Sequence, residues 1–287
     1  MVDIAKKINP AFKKAHKAIQ KRLDTDKLYF RPLEVFIPHG RGAGATTFCA
    51  MEVINAIEHC VKAAEIEKSA KPVNFPYHTA KPNRKAYPRN VVVVCKEPGL
   101  VKNTIPYYLW AIEKLGLKNK YNFSAQKRLI ERKGSTVKIF FFDYQTFTRQ
   151  SRGGLLLIPP KASIYVIEEA QDFSEHESYE VEDILGQSAT YENNRILIVS
   201  YNLPHADHWL EEVSKLCASD DKVNTVVAKG TFKTVPQEWL GASFFRTAEA
   251  LRESNPALYR VEFLGDTTKH KRIVPRGTKD KEGKKGK

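Results

Sequence analysis

Three glycines alternate with other residues between a short apolar run and a long helical pattern. The segment from His39 to Thr47 reads His-Gly-Arg-Gly-Ala-Gly-Ala-Thr-Thr. Backbone amides of such a turn can approach and surround an anion, and the start of the following helix adds the positive end of its dipole. The hydroxyl of Thr46 stands where a phosphate-binding loop places its magnesium ligand. The predicted phosphate-binding residues are Gly40, Arg41, Gly42, Ala43, Gly44, Ala45, Thr46 and Thr47.

One element of a phosphate-binding loop is missing. The pattern has a lysine just before the metal-binding hydroxyl, where its ammonium group reaches the β and γ phosphates. This sequence has Ala45 at that position. A glycine-rich turn can also be only a tight connection between a strand and a helix. The loop alone therefore leaves both interpretations open.

Two adjacent carboxylates follow a second apolar run. This run reads Ser-Ile-Tyr-Val-Ile and is followed by Glu168 and Glu169. A buried strand that ends in acids brings them to the carboxyl edge of an open α/β sheet, where ligands bind. Glu168 can then hold a magnesium ion, and Glu169 can orient and polarise an attacking water. The alternative is a solvated helix start that continues through residues 170–172, but the glycine loop upstream favours the catalytic interpretation.

A third apolar run, residues 196–199, ends in small polar side chains. Ser200 and Asn202 follow it directly. Next to the glycine loop and the acid pair, they would lie near the γ-phosphate and could report its hydrolysis to the rest of the protein. An ordinary exit from a strand into a turn is the alternative, since Asn and Pro are common turn residues.

Short β-branched or aromatic runs, separated by helical patterns, predict the elements that position these residues. A strand over 33–38 precedes the glycine loop, and a helix is predicted over 45–66. Because the runs are continuous rather than alternating, they favour a mostly parallel sheet covered on both faces, which is a three-layer α/β fold. We interpret the proline-rich residues 69–90 as an exposed insertion and residues 236–254 as a last amphipathic helix. The other predicted strands are 91–95, 137–142, 164–167, 196–199 and 223–227.

The basic charge is concentrated at the two ends of the chain. The 287 residues carry 47 Lys and Arg against 33 Asp and Glu, for a formal charge of +14. Residues 1–31 hold nine bases and three acids, and residues 269–287 hold nine and two, so the middle is nearly neutral. A helical pattern that begins at Asn9 and Pro10 is amphipathic and basic, and we interpret its lysines as a solvated face rather than a DNA or membrane contact. Any DNA contact of the neutral body would need a local patch, and we expect it around residues 81–89.

Composition excludes several other classes of protein. A hydrophobic content of 42% excludes a disordered polymer. The longest apolar runs fall far short of the roughly 20 residues that cross a bilayer, and the lysine-rich start lacks the apolar core of a secretory signal. Four cysteines without metal-ligand or redox spacing indicate buried, reduced thiols in a cytosolic protein.

Taken together, these segments resemble the amino-terminal ATPase domain of the large terminase subunit of tailed bacteriophages. The glycine loop resembles the Walker A segment of that family, Ile167-Glu168-Glu169 its Walker B acids, and residues 200–204 its coupling motif. Residues 255–266 read Asn-Pro-Ala-Leu-Tyr-Arg-Val-Glu-Phe-Leu-Gly-Asp and are similar to the signature that closes the ATPase half. This closing signature is the most specific part, because it has no general role in phosphate loops.

The resemblance implies a P-loop NTPase fold of the additional-strand, catalytic-glutamate (ASCE) type. It further implies that ATP and Mg²⁺ are bound, with Thr46 and Glu168 serving the metal, Glu169 positioning water, and Ser200 and Asn202 coupling hydrolysis to movement. The implied activity is translocation of double-stranded DNA into proheads by a homo-oligomeric ring in the host cytoplasm, together with the portal protein and the small terminase subunit. Another DNA-dependent ATPase, such as a helicase, is the alternative, although 287 residues leave no room for a second motor lobe.

We expect three segments: a basic helical segment over 1–31, the ATPase domain over 32–268 and a basic tail or linker over 269–287. In the resembled family a metal-dependent nuclease domain follows the closing signature. We see no further acidic cluster in strand context and therefore expect no nuclease activity, with the nuclease domain on another chain or removed.

The absence of the lysine and the identity of the catalytic arginine are the remaining questions. Ala45 is interpreted as an engineered substitution in a hydrolysis-deficient version; the alternatives are that Arg41 supplies the cation or that the protein is a nucleotide-binding scaffold. Arg41 can also stabilise the transferred phosphoryl group in cis. For an arginine acting in trans, the resemblance points to Arg152 or, as second choice, Arg149. The alternative is that the stretch 149–154 is only a polar turn.

Overall fold

The computed structural model describes residues 4–24, 33–69, 90–152, 162–188, 195–202, 208–219 and 224–267. Strands and helices alternate over most of this length, as the apolar runs predicted. The strands are β1 (Leu33–Pro38), β2 (Asn90–Cys95), β3 (Tyr121–Ser124), β4 (Leu129–Arg132), β5 (Lys138–Asp143), β6 (Ala162–Glu168), β7 (Ile196–Tyr201) and β8 (Thr225–Val227). The helices are α1 (Lys13–Asp24), α2 (Ala45–Ser69), α3 (Pro98–Lys114), α4 (Tyr144–Arg152), α5 (Glu175–Ser188), α6 (Trp209–Ser219), α7 (Ala242–Ser254) and α8 (Pro256–Leu264).

All eight strands form one sheet in the order β3-β4-β5-β2-β6-β7-β1-β8. The six strands from β5 to β8 in this order pair in parallel, whereas β3 and β4 join the β5 edge as an antiparallel hairpin. The prediction of a mostly parallel sheet is confirmed. The hairpin was not predicted, because its strands have only four residues each and β3 exposes two of them.

Helices cover both faces of the sheet and form two separate apolar cores. One core is filled from α1, α2 and α3, and includes Phe12, Phe48 and Tyr108. The other is filled from α4, α5 and α6, and includes Phe147 and Val181. The three-layer arrangement is therefore confirmed.

The order of the strands brings three chain segments to the same edge of the sheet. Strand β7 lies between β1 and β6 and is parallel to both. Pro38 pairs with Tyr201, and Ile167 pairs with Val199, so the carboxyl ends of all three strands are level. The glycine loop after β1, the acid pair at the end of β6 and the polar end of β7 thus meet at one place.

Two local predictions need correction. The stretch 149–154 is not a polar turn as far as it is described, because α4 continues through Arg152. The last helix predicted over 236–254 is two pieces, a short 3-10 turn and then α7, and α8 follows within the closing signature. The side chains of Tyr144 and Phe147 pack on neighbouring aromatic rings, so tertiary contacts favour helix in the α4 segment despite its polar composition.

The prediction of a basic amphipathic helix near the amino terminus is confirmed. Asn9 caps a short 3-10 turn that leads into α1, and its side chain accepts a hydrogen bond from the amide of Ala11. The apolar residues of the pattern are buried, whereas the lysines are exposed. The predicted insertion 69–90, with the expected DNA patch 81–89, lies almost wholly outside the described residues. Among the helices that are described, none is long and apolar enough to span a membrane.

Candidate nucleotide-binding site

The glycine loop has the backbone conformation that an anion-binding turn requires. Gly42 and Gly44 have φ angles of 76° and 74°, a region that is strained for residues with a Cβ atom. The amides of Gly44, Ala45 and Thr46 donate to no acceptor among the described residues. Such amides at a helix start are available to an anion, because the helix itself provides them with no partner.

One side of the loop is pressed against α8. A Cβ atom on Gly40 would lie 2.2 Å from the carbonyl oxygen of Phe263, so only glycine allows this approach. The amide of Arg41 donates to the carbonyl oxygen of Glu262 at 2.6 Å. The Arg41 guanidinium lies 3.7 Å from the Glu262 carboxylate and 5.9 Å from the centre of the Phe263 ring. The closing signature therefore supports the loop directly.

The other side of the loop is held by the residue that starts the amino-terminal helix. The side-chain amide of Asn9 donates to the carbonyl oxygen of Ala43 at 2.9 Å and to the hydroxyl of Thr234 at 2.8 Å. Asn9 is 2% exposed. Its capping oxygen was visible in the sequence, but its contact with the loop was not.

Glu168 lies at the centre of the site and is fully buried. Its Oε2 atom accepts a hydrogen bond from the Ser200 hydroxyl at 2.5 Å and lies 3.4 Å from the Thr46 hydroxyl. Its Oε1 atom has no hydrogen-bond partner among the described residues. The structure thus brings together Thr46, Glu168 and Ser200, as predicted from three separate segments.

Burial determines the ionisation of Glu168. Loss of solvent raises the pKa of its carboxyl group to about 7, and the nearby charge of Glu169 raises it further, against hydrogen bonds from Ser200, the Cys49 thiol and Thr46. The same desolvation raises the pKa of the Cys49 thiol well above its ordinary value. A buried carboxylate with one unpaired oxygen needs a cation or a proton beside it.

These side chains fit a magnesium ion. Mg²⁺ is usually held by one or two carboxylates and keeps other positions for water and substrate phosphates. Glu168 offers an unpartnered oxygen, and the Thr46 hydroxyl points at the same carboxylate. The unpaired amides of the glycine loop begin one residue before Thr46, so phosphates bound there would lie next to the metal.

Glu169 is held differently from Glu168. It has a φ angle of 53°, in the left-handed region that few non-glycine residues adopt, and it is followed by a 3-10 turn. Its Oε2 atom accepts a hydrogen bond from the side-chain amide of Gln171 at 2.7 Å. The prediction that residues 170–172 could continue a helix is correct only for this single turn.

Gln171 connects Glu169 with the polar end of β7. Its side-chain oxygen accepts a hydrogen bond from the amide of Asn202 at 2.9 Å. The Asn202 side chain in turn donates to the carbonyl oxygen of Glu262 at 3.2 Å, the same oxygen that binds the Arg41 amide. A continuous series of hydrogen bonds therefore runs from Glu169 to the closing helix and the glycine loop. Sequence reasoning missed Gln171, whose only local signal is its position two residues after the acid pair.

His39 borders this series at the start of the loop. Its backbone amide donates to Tyr201, and its Nε2 atom is buried without a hydrogen-bond partner in the described part of the chain. Burial lowers the pKa of His39, although the charge of Glu169 acts in the opposite direction. The imidazole is therefore mainly neutral at pH 7.

The two candidate trans-acting arginines lie on the last turn of α4. Arg149 is exposed, and the side chain of Arg152 is outside the described residues. Neither arginine forms a described contact with the glycine loop or the acid pair. Their role stays a prediction.

A comparison with protein families gives one match. The model of a family described as phage terminase large subunit matches residues 86–266. This range contains the acid pair, Ser200, Asn202 and the closing signature, but begins after the glycine loop. A comparison with curated proteins finds no match.

Solved structures share the fold. The large terminase of bacteriophage HK97 superposes with a TM-score of 0.58 at 9% identity, covering 88% of this chain and 50% of that one. The large terminase of a thermophilic bacteriophage, solved in complex with ADP, gives 0.55 at 14% identity, with 87% and 52% covered. A mutant ATPase domain of the Thermus phage P74-26 large terminase gives 0.50 at 7% identity, with 81% and 88% covered. The chain spans about half the length of the first two proteins, and its fold is that of a P-loop NTPase.

Proposed function

The chain belongs to the phage terminase large subunit family, and from this premise we propose that it is the ATPase motor domain that drives DNA packaging. The proposed reaction is hydrolysis of ATP with Mg²⁺, coupled to translocation of double-stranded DNA into proheads. One observation carries the proposal: the buried, unpartnered Oε1 atom of Glu168 beside the Thr46 hydroxyl, at the edge where the glycine loop offers free amides.

Each residue of the site then has a defined task. The loop amides from Gly40 to Thr47 bind and orient the phosphates, and Thr46 and Glu168 hold the metal. When bound, Mg²⁺ would neutralise charge on the β and γ phosphates. Glu169 orients the attacking water and accepts its proton, and its carboxylate is kept in place for this by Gln171.

Coupling of hydrolysis to movement would use the series of hydrogen bonds through Gln171. A change in the hydrogen bonding of Glu169 alters what Gln171 can offer to Asn202. Asn202 shares the Glu262 carbonyl with the Arg41 amide, so its displacement reaches α8 and the loop together. Ser200 acts earlier in the same series, because it holds Glu168.

We further propose that Ala45 weakens hydrolysis by removing the charge that the family's lysine supplies. The test is ATP turnover of Ala45→Lys against Ala45→Met, which has similar length without the charge. We expect a rise of at least tenfold for the lysine variant only. Equal turnover in the parent and the lysine variant would contradict the proposal.

Arg41 is the competing source of the missing charge. Its guanidinium is 63% exposed and lies beside Glu262 rather than over the loop amides, so it would have to leave this partner to reach a phosphate. If Arg41 serves, Arg41→Ala abolishes turnover in the parent and Ala45→Lys restores it. A nucleotide titration beside the turnover assay distinguishes a scaffold that binds ATP without hydrolysing it, the alternative that Ala45 itself suggests.

For the arginine in trans we propose Arg152. Arg152→Ala should lose turnover, and mixing with a Glu169→Gln subunit should restore part of it, because each subunit supplies what the other lacks. Arg149→Ala, on the same turn of α4, is the matched control and should keep its rate. The reverse result would assign the role to Arg149.

The remaining proposals concern the assembly. A homo-oligomeric ring, the portal protein and the small terminase subunit are the proposed partners, in the host cytoplasm, with the nuclease activity supplied by another domain or chain. The proposed division is a helical segment over 1–31, the ATPase domain over 32–268 and a basic tail over 269–287.

A further inference from the structure

The exposed side of α1 is unusually rich in unpaired cations. Lys13, Lys14, Lys17 and Lys21 are all exposed, and none forms an ion pair with a carboxylate of the described residues. We call these four residues the lysine face. The only acid on α1 is Asp24, which contacts His59 at 2.8 Å and lies at the end of the helix. Electrostatic repulsion among these lysines therefore has no acid along the helix to offset it.

Elsewhere in the described structure, exposed lysines and arginines commonly have a carboxylate next to them. Lys138 lies 2.8 Å from Glu131, and Lys215 lies 3.2 Å from Glu211. Mixed charge of this kind keeps a surface soluble without creating a field. The lysine face differs because its charge is of one sign, which favours a polyanionic partner.

The opposite side of α1 fixes this face rigidly to the domain. Phe12, just before α1, packs on Phe48 of α2 with ring centres 5.1 Å apart. His16 contacts the buried carboxylate of Glu52 at 2.7 Å, and the Arg22 guanidinium donates to Asn224 at 2.9 Å. A partner would therefore meet a preformed surface and would not have to order the helix on binding.

The basic surface continues beyond α1 to the end of α3. Lys7 donates to the carbonyl oxygen of Lys114 at 2.9 Å, and the Lys114 ammonium lies 5.9 Å from the Trp110 ring centre. Trp110 and Tyr107 are 39% and 45% exposed, although both are large aromatic side chains. Exposed rings beside cations suit a partner that offers both charge and flat apolar groups, as nucleic acids do.

We propose that the lysine face of α1 is a contact surface for the DNA backbone. Lys13, Lys17 and Lys21 are four residues apart, so the helix places their ammonium groups about 6 Å apart along one line. A line of cations follows the phosphates of one strand without reading the base sequence, which is what a packaging motor needs. The inference rests on the proposed function, because that function supplies the DNA.

Asn9 connects this surface with the nucleotide site. It caps the turn that leads into α1, and its side-chain amide also donates to the Ala43 carbonyl within the glycine loop. A shift of α1 under bound DNA therefore moves a hydrogen-bond donor of the loop. Binding of DNA and of nucleotide are then linked, and the link acts equally in both directions.

The test measures DNA affinity as a function of salt. A variant with the lysine face changed to glutamine (Lys13→Gln, Lys14→Gln, Lys17→Gln and Lys21→Gln) is compared with a variant that loses four other lysines (Lys127→Gln, Lys133→Gln, Lys138→Gln and Lys215→Gln). Both lose the same charge, and glutamine has nearly the helix propensity of lysine. Fluorescence anisotropy with a double-stranded oligonucleotide gives the slope of log K against log salt.

We expect the slope of the lysine-face variant to become shallower by about 3 to 4, since each phosphate contact contributes about 0.9. The control variant should keep most of the parental slope. Equal losses in both variants, or none in the lysine-face variant, would overturn the proposal while the parent still binds DNA. If the parent itself does not bind DNA, the DNA part of the proposed function fails as well. Retained DNA binding with loss of binding to polyglutamate would assign the surface to an acidic protein instead.

A second measurement tests the connection through Asn9. Asn9→Ser keeps a capping oxygen but loses the amide that reaches Ala43. In the parent we expect DNA to change the affinity for a fluorescent ATP analogue at least threefold, and in Asn9→Ser this change should disappear while DNA affinity remains. A parental affinity that is the same with and without DNA, or an unchanged effect in Asn9→Ser, would refute the connection.

Discussion

The glycine loop and the acid pair lie side by side, but the protein positions them by different means. The loop is held mainly through its backbone, because Gly40 touches α8 and the amide of Arg41 bonds to Glu262. Glu168 is held through its side chain, by the hydroxyls of Ser200 and Thr46 in a buried environment. The loop should therefore be sensitive to added atoms, and the acid pair to changes of charge and of hydrogen-bond donors.

The largest effect is expected at Gly40. In Gly40→Ala the new methyl group would lie 2.2 Å from the Phe263 oxygen, which is part of a helix backbone and cannot rotate away. We expect a loss of about 3 kcal/mol in the free energy of unfolding, the upper range for overpacking. Denaturant unfolding measures it. Gly99→Ala is the control, since a Cβ there meets nothing within 4 Å; similar losses at both sites would disprove the close packing of loop and α8.

The acid side is tested with Glu168→Gln. Because burial raises the pKa of Glu168 to about 7 from an ordinary 4.5, the folded state holds its proton more tightly than the unfolded state. The protonated group is fully stabilising below pH 4.5, and this stability is lost as pH rises through about 7. The glutamine variant cannot ionise, so it should be more stable than the parent at pH 8 by ~3 kcal/mol.

The pH dependence is the critical part of this measurement. At pH 5 the advantage of Glu168→Gln should fall below about 1 kcal/mol, because in the parent the buried group then keeps its proton. Unfolding curves at pH 5, 6, 7 and 8 without divalent metal give the comparison. An advantage that does not vary with pH would show that Glu168 titrates normally in the folded protein.

The sequence predicted one of these two modes of support better than the other. Buried apolar runs ending in acids or small polar residues predicted β6, β7 and their meeting edge, because parallel strands order their ends by general rules. The support of the loop depends on Asn9 and on the carbonyl groups of α8, whose partners are 34 or more residues away in the chain. Such contacts have no local pattern, so neither they nor the link through Gln171 could be predicted.

A smaller effect on the acid side is expected from Ser200→Ala. This variant removes the hydroxyl that donates to Oε2 of Glu168 at 2.5 Å and leaves a buried carboxylate with a weaker partner. We expect a loss of about 1 to 2 kcal/mol at pH 8, and less at pH 5, where the carboxyl group is protonated. Ser163→Ala is a matched control on β6, because the Ser163 hydroxyl is buried without a hydrogen-bond partner in the described residues. If both variants lose the same stability, the Ser200 bond does not support Glu168.

The smallest effect sharpens the account of the loop. Gly44 also belongs to the glycine loop, but a Cβ atom there would meet nothing within 4 Å, so only its φ angle of 74° opposes substitution. Gly44→Ala should therefore cost about 1 kcal/mol, the penalty for a left-handed conformation. Gly134 has a φ angle of 71° and equally open space in a turn far from the loop, so Gly134→Ala should cost the same in denaturant unfolding. A much larger cost at Gly44 would mean that the loop is held by more than its contacts at Gly40 and Arg41, and the contrast between the two sides of the site would then lose its basis.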